Sequence, residues 1–183
     1  FVSPQTIATK GAIDWESFQI GSDTYLAVAN HYDGSNYAQN SVIYKWDGST
    51  FVSHQTIATK GALDWESFQI GSDTYLAVAN YRDGSSIEKN SVIYKWDGST
   101  FVSHQTIPTK GAYDWESFQI GSDTYLAVAN NYDGSNYAIN SVIYKWDGST
   151  FVSHQTIATK GARDWESFQI GSDTYLAVAN ARN

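Results

Sequence analysis

No cysteine and no methionine occur anywhere in the chain. Without cysteine there is no disulfide framework, no thiolate nucleophile and no cysteine-bound zinc. Without methionine, and with Phe1 already inside a repeat, the chain reads as a processed or excised piece of something longer, its targeting segment out of view. Proline is confined to Pro4 and Pro108. No apolar stretch comes near the ~18 residues that a membrane-spanning helix needs. Basic residues are also few: 11 Lys and Arg against 19 Asp and Glu leave a net charge of −8. Nucleic acid and an anionic membrane are therefore poor candidates for the main partner.

Aromatic and turn chemistry is what the chain has in abundance. Phe, Trp and Tyr make up 15% of its residues, and Gly occurs 14 times. That is a β-rich composition without a disorder signature. At 183 residues, the chain can bury a sizeable core.

Self-similarity dominates everything else. FVSPQTIATK at 1 returns as FVSHQTIATK at 51 and 151 and as FVSHQTIPTK at 101, a period of 50 residues. The units are 1–50, 51–100, 101–150 and a partial 151–183, read together as one segment over 1–183. The first differs from the second at 8 of 50 positions and from the third at 5. Variation falls at 13, 31, 32 and 36–39 of the unit, with minor changes at 4 and 8. Recent amplification and deliberate design would both leave this pattern. A fixed period of this size signals a solenoid, a propeller or an array, because one unit cannot bury its own apolar surface.

Within a unit four runs read as strands: 1–9, 14–21, 24–30 and 41–48, each rich in β-branched or aromatic residues and bounded by turn residues. Gly21-Ser22-Asp23 and Asp47-Gly48-Ser49-Thr50 are tight links. The connection around Asp33-Gly34-Ser35 is longer and carries most of the variation. Residues of both parities in YLAVAN are apolar or small, as in a sheet covered on both faces. The expected fold is all-β: a β-propeller of four-stranded antiparallel blades, one per 50 residues.

The pattern GAxDWESFQIG-D-YLAVAN, a variable loop, then S-IYKWDG--F--HQTI resembles the EPTP repeat, also called the epilepsy-associated or EAR repeat, of leucine-rich glioma-inactivated and other adhesive proteins. The resemblance implies a propeller, seven-bladed in that family, which is extracellular, lacks catalysis and binds protein partners. It also implies that the first strand serves as the outermost strand of the last blade. This chain supplies fifteen expected strands: one outer strand, three sets of four and two inner strands. A homodimer is therefore expected, two chains sharing one ring of seven or eight blades, since unpaired blade edges favour association. Closure as a four-bladed ring and a truncated or designed sample are the alternatives.

Asp14, Asp64, Asp114 and Asp164 open the innermost strands, so a propeller would bring them round one axis. Converging carboxylates suit a hard cation, and the resemblance points to calcium in the channel. The competing reading makes each Asp a turn cap that accepts nearby backbone N–H groups. Glu16, Glu66, Glu116 and Glu166 follow at i+2, about 6.5–7 Å away between Cα atoms. A glycosidase needs two differentiated carboxyls, and here every unit carries the same pair. Trp15 and Trp46, with their copies, read as packing between blades, with sugar stacking the alternative. His54, His104 and His154 lie one per blade, too far apart to share a metal, and His31 is alone in its loop; all four read as partly exposed polar residues.

The 30–40 loop lacks the carboxylate spacing of a calcium loop. Its variability marks it for partner-specific contacts, with Tyr32, Tyr37, Arg82, Tyr132 and Tyr137 as anchors. The sequence thus supports a non-catalytic scaffold for protein interaction or adhesion. The alternatives are a multivalent glycan-binding propeller and a symmetric designed scaffold without a natural ligand.

Overall fold

The structure, a computed structural model, describes residues 5–182. The first unit folds into β1 (Ala12–Ile20), β2 (Asp23–Asn30), β3 (Asn40–Trp46) and β4 (Phe51–Ala58). The second gives β5 (Ala62–Ile70), β6 (Asp73–Asn80), β7 (Glu88–Trp96) and β8 (Phe101–Lys110). The third gives β9 (Ala112–Ile120), β10 (Asp123–Asn130), β11 (Ala138–Trp146) and β12 (Phe151–Lys160). Then come β13 (Ala162–Ile170) and β14 (Asp173–Asn180), a two-stranded sheet. Each complete sheet pairs its strands antiparallel in chain order, the layout of a propeller blade.

Local chemistry sets these hairpins. Ile20 pairs with Asp23 across a two-residue turn, and Gly21 adopts the positive φ of 60° that such a turn requires. At the next reversal the Asp47 carboxylate accepts the backbone N–H groups of Ser49 and Thr50, both at 2.8 Å. Pro108 stands in β8 opposite Asn90. That strand is the outermost of its blade, where a missing N–H is tolerated.

The core lies between sheets, not within one. Phe18, Tyr25, Ala27 and Ile43 form the back of the first blade and pack on Trp65, Leu76, Val78 and Phe101 at the front of the second. The same set recurs between the second and third blades, and again, smaller, against the β13–β14 sheet. Ala27, Ala77 and Ala127 have no exposed surface. Their small side chains let neighbouring sheets approach closely. Each fully buried Leu or Val contributes about 1.5–3 kcal/mol relative to exposure. The innermost strands β1, β5, β9 and β13 follow one another side by side.

The expected strand over 1–9 is corrected. Residues 1–4 lie outside the described residues, and 5–9 form no strand, leaving fourteen described strands where fifteen were expected. Among the described residues no SVIYKW-type strand lies beside this segment, so its backbone has no ladder to join. It is nevertheless held in place by a side chain. Gln5 donates to the Phe51 carbonyl and accepts the Phe51 N–H at 2.8 and 2.7 Å. Gln55 makes the same two bonds to Phe101, and Gln105 to Phe151.

Candidate functional site

The DWES stretch joins blades. Trp65, Trp115 and Trp165 donate their backbone N–H to Asp14, Asp64 and Asp114 of the preceding blade at 3.3, 2.9 and 2.8 Å. Ser67, Ser117 and Ser167 do the same to Glu16, Glu66 and Glu116 at 3.2, 2.9 and 2.8 Å. These carboxylates therefore supply hydrogen-bond acceptors between innermost strands of neighbouring sheets. The turn-cap reading of Asp14 is corrected: the N–H it accepts lies 51 residues away, in the next blade.

Burial and crowding raise these groups. Burial first, then the Asp114 charge, pushes Asp64 well up from the ordinary aspartate value. Asp114 is pushed up to about 8 by burial and by the charges of Asp164, Glu116 and Glu66. Glu66 rises to about 7 through burial and its neighbours Glu116 and Glu16. Burial also raises Asp14 and Glu16. Carboxylate oxygens are the donors that a hard cation such as calcium prefers, and here such a cation would have to displace protons. The carboxylates interact in succession along an arc, however, and among the described residues no three gather in an arrangement that would hold a metal.

The tryptophans of β5 and β9 are packing residues. Trp65 and Trp115 are each 2% exposed, and their indole N–H groups donate to Val28 and Val78 carbonyls at 3.0 and 3.1 Å. A cleft of about 470 Å³ between the second and third blades is lined by Pro108, Lys110, Asn130, Ile139 and Asn140, with no aromatic ring. The histidines have a use that sequence reasoning missed. His54 and His104 Nε2 lie 2.9 Å from the Ser99 and Ser149 carbonyls of the following blade. His54 also meets Tyr25 edge-on, and Trp96 covers both rings.

At the other end of the strands the 30–40 loop is a hydrogen-bonded turn. Asp33 accepts the N–H groups of Ser35 and Asn36 at 3.0 and 2.8 Å, which holds its carboxyl well below the usual range. Tyr32 stacks on Tyr37 at 4.4 Å, and the Arg82 guanidinium of the next blade lies 4.6 Å from the Tyr37 ring. Tyr132 and Tyr137 repeat the stack at 4.5 Å, with Arg182 over Tyr137 at 4.4 Å. The five anchor residues expected here are thus brought together in a ladder that runs from blade to blade, each half-buried. Sequence reasoning missed Tyr81, Tyr113, Arg163 and Arg182, which belong to the same ladder. Their signal was the joint variation at 13, 31 and 32 of the unit. Gly61 shows how close the loops come: it has φ of 54°, and a side chain there would meet Tyr37 Cδ1 at 3.3 Å and the Arg82 carbonyl at 2.8 Å.

Blades stacked face to face, joined by inner carboxylates and by a loop ladder, define a β-propeller assembled from tandem repeats. The EPTP domain model matches residues 1–47, 50–97, 100–147 and 150–182, and the chain belongs to that family. Among curated proteins it is similar to the thrombospondin-type laminin G domain and EAR repeat-containing proteins of Mus musculus and Homo sapiens. Each is 50% identical over 48 residues, which covers 26% of this chain and 7% of the relative. The matched stretch is thus a small part of those proteins' length.

Proposed function

We propose that the chain is a non-catalytic propeller scaffold that binds a protein partner through the face carrying the 30–40 loops. One observation carries this reading. An almost invariant framework mounts side chains that differ from unit to unit at one end of its blades, at Tyr32, Tyr37, Arg82, Tyr132 and Tyr137. Every Asp-Glu pair except the last already accepts backbone N–H groups, and the undifferentiated pairs give no separate acid and base. The resemblance and the company of EAR repeats with a laminin G domain in the relatives' names support an extracellular setting. In the same reading two copies share one ring, and a calcium ion in its channel is held through water by the axial carboxylates Asp14, Asp64, Asp114 and Asp164.

Exchanging residues 86–89 for the sequence of 36–39 tests the partner surface. Capture of an extracellular-matrix protein that is lost on this single exchange, beside a blank glycan array, supports the proposal. Equivalent multivalent binding on the array, unaffected by the exchange, replaces it with a lectin. For the ion, calcium is expected to raise the melting temperature, and Asp→Asn at 14, 64, 114 and 164 to abolish the rise. No rise in the parent chain disposes of the ion.

A further inference from the structure

Cations are placed differently at the two ends of the blades. At the end where Gly21 turns β1 into β2, Lys45, Lys95 and Lys145 hold Asp23, Asp73 and Asp123, each at 2.7 Å. At the loop end the pairing changes from junction to junction. Between the second and third blades, Lys110 stands opposite Glu88 in the ladder and pairs with it at 3.7 Å. The residue whose N–H donates to the Lys110 carbonyl there is Tyr132, which carries no charge. Between the first and second blades the place of the glutamate is taken by Ala38, and the residue that donates to the Lys60 carbonyl is Arg82. The next junction repeats this exchange: Ala138 stands opposite Lys160, and the Arg182 N–H donates to the Lys160 carbonyl. The two places change together. Glu with Tyr neutralises a junction, and Ala with Arg sets two cations side by side.

The junction between the first and second blades shows what the second combination leaves. Lys89, the other cation nearby, is held by Asp83 at 2.7 Å. Among the described residues neither Lys60 nor Arg82 belongs to an ion pair. Lys60 is exposed, and Arg82 is half-buried. The Arg82 guanidinium lies 4.6 Å from the Tyr37 ring, and its Nε is buried without a hydrogen-bond partner. Burial first, and the Arg82 charge as well, hold His31 below the ordinary histidine value, so the charge here belongs to Lys60 and Arg82. A guanidinium against an aromatic ring keeps a planar fork that matches a carboxylate. Donors without acceptors cost free energy that an incoming carboxylate restores.

Resting on the reading that the loop face binds a protein, we infer that the partner presents acidic side chains to it. Lys60 with Arg82 receives one group of carboxylates, and Lys160 with Arg182 another. The alternation decides the class of anion. A nucleic acid or a sulfated glycan is a continuous polyanion and calls for a continuous basic track. Here the junction between the two sites is neutralised by Glu88. Asp133 faces the same lysine: the N–H groups of Asn136 and Ser135 first, and the Lys110 charge as well, hold its carboxyl low. Separate clusters of acidic side chains, two blades apart, match this pattern. The Tyr32–Tyr37 and Tyr132–Tyr137 stacks beside the two sites supply aromatic contact area around them. A segment that reaches both sites gains from their linkage.

An array of short synthetic peptides that differ in Asp and Glu content, probed with the whole chain, tests this. The captured peptides are expected to be rich in Asp or Glu and to be released by salt. The decisive variant, Ala38→Glu with Arg82→Tyr, gives the first junction the residues that the second already uses. Strand content by circular dichroism checks its fold. Binding of acidic peptides is expected to fall at least about tenfold. The reciprocal change, Glu88→Ala with Tyr132→Arg, is expected to strengthen it. Acidic peptides that ignore both double variants overturn the site, as does an array with no acidic preference or no binding. Heparin bound as tightly as the acidic peptides, and released by the same variant, replaces the acidic segment with a polyanion. A matrix protein that is lost on exchange of residues 86–89 but unmoved by Ala38→Glu with Arg82→Tyr overturns the acidic site alone. The loop face then stands as the partner surface.

Discussion

The inner strands and the loop face of this protein solve the same problem with different chemistry. Both must join one blade to the next. Along the inner strands the joint is a half-buried carboxylate accepting a backbone N–H, and it is the same at each junction: Asp14 to Trp65, Asp64 to Trp115, Asp114 to Trp165. On the face carrying the 30–40 loops the joint is an aromatic ring against a cation or a second ring, and it changes from unit to unit. The difference follows from charge. A carboxylate drawn partly out of water beside others of its kind is costly unless its acceptors are filled, so few substitutions satisfy that place. Half-exposed rings exchange water for one another at little cost, so Tyr, Arg and Ile all serve.

Substitutions sharpen this contrast. Trp115→Ala removes a buried indole together with its bond to Val78 and should cost about 3–5 kcal/mol in chemical denaturation. If Arg82→Ala costs as much, the contrast between inner strands and loop face collapses. Next in size is a pH effect. Asp114 and Glu66 hold their protons up to about 8 and 7 when folded, against 3.8 and 4.5 as ordinary values. The folded chain keeps protons that the unfolded chain releases. The stability they contribute is complete below about pH 4 and is lost as pH rises to about 8. Without calcium the melting temperature should therefore fall between pH 5 and 8, and Asp114→Asn should melt higher than the parent at pH 8. A flat profile would show that these groups ionise freely.

Gly61→Ala is expected to cost about 1–3 kcal/mol, because φ is positive there and the Arg82 carbonyl stands in the way. The matching change at Gly21, where nothing lies within 4 Å, should cost less. Arg82→Ala comes last, at about 0.5–1 kcal/mol, and Arg82→Lys should recover part of it.

Strands and turns were legible in the sequence because they depend on neighbours in the chain. Gly21 and Asp47 announce their turns, and the both-sided apolar character of YLAVAN announces a sheet covered on two faces. The boundaries moved little: the inner strand starts at Ala12, not Asp14, with an irregularity between them. Bonds that cross blades were not legible. Asp14 and His54 find partners 51 and 45 residues away, and no local pattern carries that distance. The segment at 5–9 has the composition of a strand, yet a strand exists only beside another. Tyr32 and Arg82 were singled out for their variability, which marked the right end of the blades without revealing that they pack on each other.

The paired bonds of Gln55 and Gln105 have one more consequence. A primary amide offers the same donor and acceptor as a peptide group, so each glutamine stands in for one rung of a ladder between the outer strands of successive blades. Among the described residues no strand ladder runs from one sheet into the next. Cooperativity therefore passes along this molecule through side chains, as in a row of coupled but separable springs. Amide exchange should be graded accordingly: fastest in β13–β14, slowest in the twice-covered second blade. A variant lacking one of these amides would let the blades on either side of it open at separate rates.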